Sequence, residues 1–248
     1  MPYRFATERP DYSDLSSGRV FHSLPGHPAF PVRLASEIFQ RCLARWQTAG
    51  VPEAPVLYDP CCGAAYLLTV LVYLHGPLIR AVIASDADPK AVQLAGRNLA
   101  LITVEGLDRR IGELMEMRER YGKASHQAAL ESARRMREKI DRLPRIPLLV
   151  FQADAGNSAD LQLGLNGSKA DIVITDIPYG RHSEWQGNLR EGPHPVRAML
   201  DALLGSLSPT GLAAVVAGKD QKISHESYRC IERFQIGKRQ IVILKPGT

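Results

Sequence analysis

Four short apolar runs, each long enough only for a strand and separated by helix-patterned segments, constrain this chain most. They are Val56-Leu57-Tyr58, Ala81-Val82-Ile83-Ala84-Ser85, Leu148-Leu149-Val150-Phe151 and Asp171-Ile172-Val173-Ile174-Thr175. Strands without polar alternation suit a parallel sheet covered on both faces. Strand and helix alternating at this spacing predict an α/β, doubly wound, Rossmann-like fold. A fifth strand is expected from Leu212 to Ala217, and a closing hairpin around Gly237-Lys238 between Ile236 and the run from Gln240 to Leu244. Helices are expected from Ala64 to His75 and from Pro89 to Leu101. Asp88 suits the cap of the second, and Pro89 its first turn.

Two segments interrupt the alternation. The N-terminal stretch, about residues 1–50, holds the Pro-rich run from Leu24 to Pro31 and a helical pattern from Val32 to Trp46. The segment 107–143 is charged and helical in period, with ten Lys/Arg and seven Asp/Glu between Asp108 and Arg142. Gly122 marks a break inside it, so a helical pair is expected. The chain therefore reads as one domain over residues 1–248, with an N-terminal extension and an inserted helical pair.

A composition of 45% hydrophobic and 23% charged residues over 248 positions excludes a disordered chain, a collagen-like repeat and a Cys-rich scaffold. The N-terminus is charged where a signal peptide needs an apolar run, and Ala64 to Leu74 is too short to span a bilayer. A soluble, cytoplasmic protein with no membrane partner is expected, acting as a monomer. The net charge of +5 is a weak pointer to a polyanionic partner. Cys61 and Cys62 are adjacent, Cys42 and Cys230 stand alone, and no pair has C-x2-C spacing. They are expected to be reduced and mostly buried, without a metal.

The chemistry concentrates after the strands. Asp59-Pro60-Cys61-Cys62-Gly63-Ala64-Ala65-Tyr66 follows the first strand and precedes a helix, where small residues let a ligand approach the backbone. Asp86 ends the second strand, where an acid can bind both ribose hydroxyls. Asp154 follows the third and can accept from an adenine amino group. Each acid alone could be a loop cap, but three such elements after successive strands point to a cofactor site. The loop lacks both G-x-G-x-x-G and the Walker pattern. An acid before it, Asp59, suits a cation rather than a phosphate. S-adenosylmethionine carries a sulfonium and an ammonium and fits, held by Asp59, Gly63, Asp86 and Asp154, with Cys61 and Ala65 lining the loop.

Thr175-Asp176-Ile177-Pro178-Tyr179-Gly180 follows the fourth strand. It resembles the [DN]-P-P-[YFW] motif of methyltransferases acting on planar nitrogens. Such a nitrogen is a poor nucleophile, because its lone pair is delocalised or it carries a proton. Asp176 and the Ile177 carbonyl can accept its hydrogen bonds, Pro178 stiffens the turn and Tyr179 can stack on the base. A base within a helix must be flipped out to reach such a pocket.

Beyond these motifs, the chain resembles the avilamycin-resistance rRNA methyltransferases, the AviRa family. The likeness runs through Ser23 to Ala35, Asp59 to Gly63, Tyr66 to Leu71, Ile83 to Asp86, the charged insertion, Asp176 with Pro178-Tyr179-Gly180, and Ile236-Gly237. The resemblance implies methylation of a guanine in 23S ribosomal RNA at ring N1, from S-adenosylmethionine, with possible antibiotic resistance as outcome. The motif by itself points to exocyclic N2, and the sequence does not choose between the two. Adenine N6, a protein glutamine amide, and a catalytically weakened RNA-binding homologue are the competing readings.

Two positions depart from the pattern. Gly63-Ala64-Ala65 stands for Gly-x-Gly, and Ala65 disfavours a positive φ there. Ile177 replaces the first Pro of the motif. Candidate RNA contacts are Arg181, Lys219, Lys222, Lys238 and Arg239, together with the basic insertion. Trp185 is a candidate stacking side chain in a lid.

Overall fold

The structure, a computed structural model, describes residues 3–16, 18–23, 29–51, 53–177, 185 and 194–247. Seven strands form one sheet: β1 (Val56–Asp59), β2 (Ala81–Asp86), β3 (Leu148–Gln152), β4 (Ala170–Asp176), β5 (Leu207–Gly218), β6 (Tyr228–Ile236) and β7 (Arg239–Pro246). Their order is β3-β2-β1-β4-β5-β7-β6. The first five pair in parallel, while β7 runs antiparallel to both β5 and β6. The chain winds outward from β1 in both directions, so a crevice opens beyond the carboxyl ends of β1 and β4.

Among the described residues seven α-helices accompany the sheet: α1 (Val32–Gln47), α2 (Tyr66–His75), α3 (Pro89–Ala100), α4 (Val104–Tyr121), α5 (Ala124–Lys139), α6 (Ser158–Leu165) and α7 (Pro195–Leu204). Leu57, Val82, Ile172, Ala214 and Ile243 pack with α1, α2 and α3 on one face. Tyr58, Ile83, Val173, Val215 and Val242 pack with α6 and α7 on the other. Burial on both faces explains why the central strands read as unbroken apolar runs.

The expected strands, the closing hairpin and the helical pair are all present, with shifted ends. β5 starts at Leu207, five residues before the expected Leu212. The pair is α4 and α5, and it begins at Val104, where the Thr103 side chain caps the helix by accepting from the Gly106 N–H at 3.1 Å. Gly122 ends α4 at φ +60°, a left-handed residue that suits glycine. Helices α6 and α7 went unassigned in the sequence, since both are short.

The extension and the insertion share a third core, built from Leu15, Val20 and Phe21 against Leu107, Leu114, Leu130, Ala133 and Met136. Arg110 Nε donates to the Val20 carbonyl at 2.8 Å, and Arg135 pairs with Asp14 at 2.6 Å. Several insertion arginines are thus engaged within the protein. Cys42 and Cys62 are buried, Cys61 half-buried, and Cys230 exposed on β6. Among the described residues no helix is long and apolar enough to cross a membrane.

Candidate active site

The acids singled out in the sequence stand at the carboxyl ends of neighbouring strands. Asp59 ends β1, Asp86 ends β2 and Asp176 ends β4, while Asp154 lies two residues beyond β3. Parallel pairing of β1 with β2 and β4 carries these ends to the same edge.

Asp59 is almost fully buried at 3% exposure, and its Oδ1 accepts from the Cys61 N–H at 3.1 Å. Burial pushes its pKa up to about 7; the Thr175 hydroxyl and the Cys61 N–H pull it down, while Asp86 and Asp176 add repulsion. Desolvation and like charge both disfavour the carboxylate, so this edge has a standing attraction for a cation. Asp86 Oδ2 accepts from the Gly63 N–H at 2.8 Å and Oδ1 from the Asp88 N–H at 3.0 Å. Asp154 Oδ1 accepts from the Gly156 N–H at 2.9 Å. Burial and the surrounding acids push both the Cys61 and the Cys62 thiols well up, so neither acts as a thiolate.

The loop itself is tightly tied. The Cys62 N–H donates to the Ser85 carbonyl at 3.0 Å, and the Ala65 N–H to the Cys62 carbonyl at 2.7 Å. Gly63 has φ +53°, and a Cβ there would meet open space within 4 Å. Ala65 also takes the left-handed conformation, at φ +52°, and is fully buried in the core. Such a residue costs an L-amino acid roughly 1–2 kcal/mol. The alanine therefore does not change the turn; the surrounding packing holds it in the glycine-like shape.

Asp176 closes β4 opposite Val216, and the Ile177 N–H donates to the Val216 carbonyl at 3.0 Å. This fixes where the chain leaves the sheet. Pro178, Tyr179 and Arg181 lie outside the described residues. Trp185 is half-buried and packs against the core on the α6 and α7 face.

Lys219, Lys222, Lys238 and Arg239 come together at the same edge, because β7 pairs Arg239 with Gly218 at the end of β5. The three lysines are exposed, while the Arg239 guanidinium lies 5.5 Å from the centre of the Phe30 ring. The buried Gln240 amide supports this rim by donating to the carbonyls of Gly218 at 2.8 Å and Lys219 at 3.2 Å. Sequence reading missed Gln240, and also Asn98, a buried amide beside the loop that follows β1. Asn98 was visible only as a polar residue on the stripe of Ala91 and Ala95.

A doubly wound sheet with this strand order and acids at the ends of β1, β2 and β4 defines the class of Rossmann-like methyltransferases. Within that class the family model described as rRNA methyltransferase AviRa matches residues 1–239, and the chain belongs to this family. It is 44% identical over 245 residues to a Streptomyces viridochromogenes protein named 23S rRNA (guanine(2535)-N(1))-methyltransferase, covering 98% of this chain and 95% of the relative. Two solved structures of the AviRa rRNA methyltransferase from the same organism, at 1.5 Å and 2.4 Å, are 44% and 43% identical. Each superposes with a TM-score of 0.84 over 98% of this chain and 96% of the other.

Proposed function

We propose that this chain methylates N1 of a guanine in 23S ribosomal RNA, using S-adenosylmethionine, and acts as a monomer on the RNA or the large ribosomal subunit in the cytoplasm. The observation that carries the reading is the set of acids on one sheet edge, with the buried Asp59 at its centre, in a chain of the AviRa family. The residues fit the cofactor: Asp86 and Asp176 add negative charge around the buried Asp59, and Gly63 leaves open space above the loop. When bound, S-adenosylmethionine supplies an electrophilic methyl group on a sulfonium.

In this reading Asp59 faces the cationic end of the cofactor across the loop. Asp86 takes the ribose hydroxyls while holding Gly63, Asp154 accepts from the adenine, and Cys61, Gly63 and Ala65 shape the loop. Asp176 accepts the N1 proton of guanine, which leaves the ring nitrogen a lone pair in line with the methyl group. Pro178 and Tyr179 present and stack the base. Catalysis then consists chiefly of positioning and exclusion of water. Lys219, Lys222, Lys238 and Arg239 form a basic rim for the RNA backbone, and Arg181 is a further proposed RNA contact. The test is transfer of labelled methyl to 23S rRNA fragments with the modified atom identified by mass spectrometry. Label at N1 supports the proposal; label at N2, at adenine N6 or on protein overturns it. Reduced sensitivity to a ribosome-targeting antibiotic is the expected cellular consequence, as the family's resistance role suggests.

A further inference from the structure

We infer that Asn98 is a positioning residue for the methyl-donor loop and joins the N-terminal extension to that loop. The inference rests on the reading that residues 59–65 hold the cofactor. Asn98 lies on the buried face of α3 with no exposed surface. An amide there is unfavourable unless its hydrogen bonds are made, and alanine would suit the helix better. Three are made, using both amide hydrogens and the oxygen. Its Nδ2 donates to the Ala64 carbonyl at 2.7 Å and to the His22 carbonyl at 2.9 Å, and its Oδ1 accepts from the His22 N–H at 2.8 Å.

The Ala64 carbonyl is the one immediately before the left-handed Ala65. A non-glycine residue persists in that conformation only where its surroundings hold it. Here the holds are specific. The Ala65 N–H is bound to the Cys62 carbonyl, and its own carbonyl accepts from the Thr69 hydroxyl at 2.8 Å. Asn98 grips the peptide between Ala64 and Ala65 from outside the turn. Its other side is occupied by both backbone groups of His22. The extension is fastened again nearby, where Tyr66 donates to the Leu15 carbonyl at 2.5 Å and packs edge-on against Phe21 at 5.2 Å. A loop that lacks the second glycine thus gains an external clamp, and the clamp is anchored in a segment that precedes the sheet.

The test uses full-length protein with Asn98→Ala, the isosteric Asn98→Asp, Ala65→Gly and the Asn98→Ala/Ala65→Gly pair. S-adenosylmethionine affinity is read by calorimetry, and kcat and KM with an rRNA fragment. Asn98→Ala is expected to weaken cofactor binding about tenfold, the effect of losing a buried hydrogen bond, with kcat at saturating cofactor little changed. Ala65→Gly restores most of that affinity in the pair, because glycine takes the turn without the clamp. In Asn98→Asp the affinity relative to wild type improves as pH falls, since a protonated carboxyl donates to a carbonyl again. That variant carries the test if Asn98→Ala does not fold. Unchanged cofactor affinity in the folded variants, or no recovery with glycine at position 65, overturns the inference. Undetectable binding by the wild type overturns the reading of the loop instead.

Discussion

The Gly63 N–H donates to Asp86 Oδ2 across 2.8 Å, so one carboxylate ties the loop after β1 to the end of β2. In the proposed site the same carboxylate also faces the ribose. Asp86→Ala removes both roles and is expected to weaken S-adenosylmethionine binding roughly 10- to 100-fold, the range for a hydrogen bond to a charged group. Calorimetry at fixed pH measures it, and unchanged affinity contradicts the role given to Asp86.

Asp59 makes the site sensitive to pH. Its pKa is raised from 3.8 to about 7, so between these values the folded protein binds a proton that the unfolded chain releases. This contribution to stability is fully present below pH 3.8 and is lost as pH rises through about 7. A bound cation favours the carboxylate, so cofactor affinity should rise with pH up to about 7 and then level. Asp59→Asn keeps an acceptor for the Cys61 N–H and removes the titration. It should bind the cofactor more weakly, show a flat profile and gain thermal stability at pH 8 without ligand.

Asp176 separates chemistry from binding. Asp176→Asn keeps the shape of the side chain and cannot take the N1 proton. The expected loss of methyl transfer is about 10²- to 10⁴-fold, the usual contribution of a general base, with cofactor affinity nearly unchanged. Parallel single-turnover assays and calorimetry give the two readouts, and surviving transfer contradicts the assignment.

The extension is anchored at a second point by a buried carboxylate. Glu37, with no exposed surface, accepts from the backbone N–H groups of Arg4, Phe5 and Ala6 and from Arg41, which also pairs with Glu232 at 2.5 Å. Burial raises its pKa, but the three N–H bonds and Arg41 outweigh it and hold the pKa below its usual 4.5. Its contribution is therefore present above pH 4.5 and lost as pH falls through the lower folded value. Glu37→Ala should cost about 3–5 kcal/mol, the effect of breaking a buried ion pair. Urea unfolding at pH 7 and pH 4 measures this, with the difference between variant and wild type shrinking at the lower pH.

The basic rim predicts a salt signature. Replacing Lys219, Lys222 and Lys238 by Gln should weaken binding to rRNA fragments of any sequence and reduce the slope of log affinity against log salt by about one per lost phosphate contact. Fluorescence anisotropy across a salt series measures both. An unchanged slope moves the RNA path elsewhere.

The strands and acids were legible in the sequence because they follow local rules. Val173 and Ile174 are apolar on both sides of the sheet, and a polar break directly after such a run, as at Asp59, Asp86 and Asp176, marks a strand end. Gly122 announced the turn between α4 and α5 in the same way. What stayed hidden depends on contacts distant in the chain. The left-handed Ala65 contradicts local preference and is held by Cys62, Thr69 and Asn98. Gln240 reads as an ordinary strand residue until the β5–β7 pairing places it under the loop that carries Lys219. Trp185 stands out in the sequence as a candidate stacking ring, whereas the core it packs against is visible only in the fold.

The most direct measurement is the position of methylation. Wild-type protein is incubated with 23S rRNA and labelled S-adenosylmethionine, and the modified fragment is sequenced by tandem mass spectrometry. A single methyl on N1 of one guanine, lost in Asp176→Asn, is the predicted result. A methyl on N2 or on adenine, or no label in RNA from protein that binds the cofactor, would contradict it.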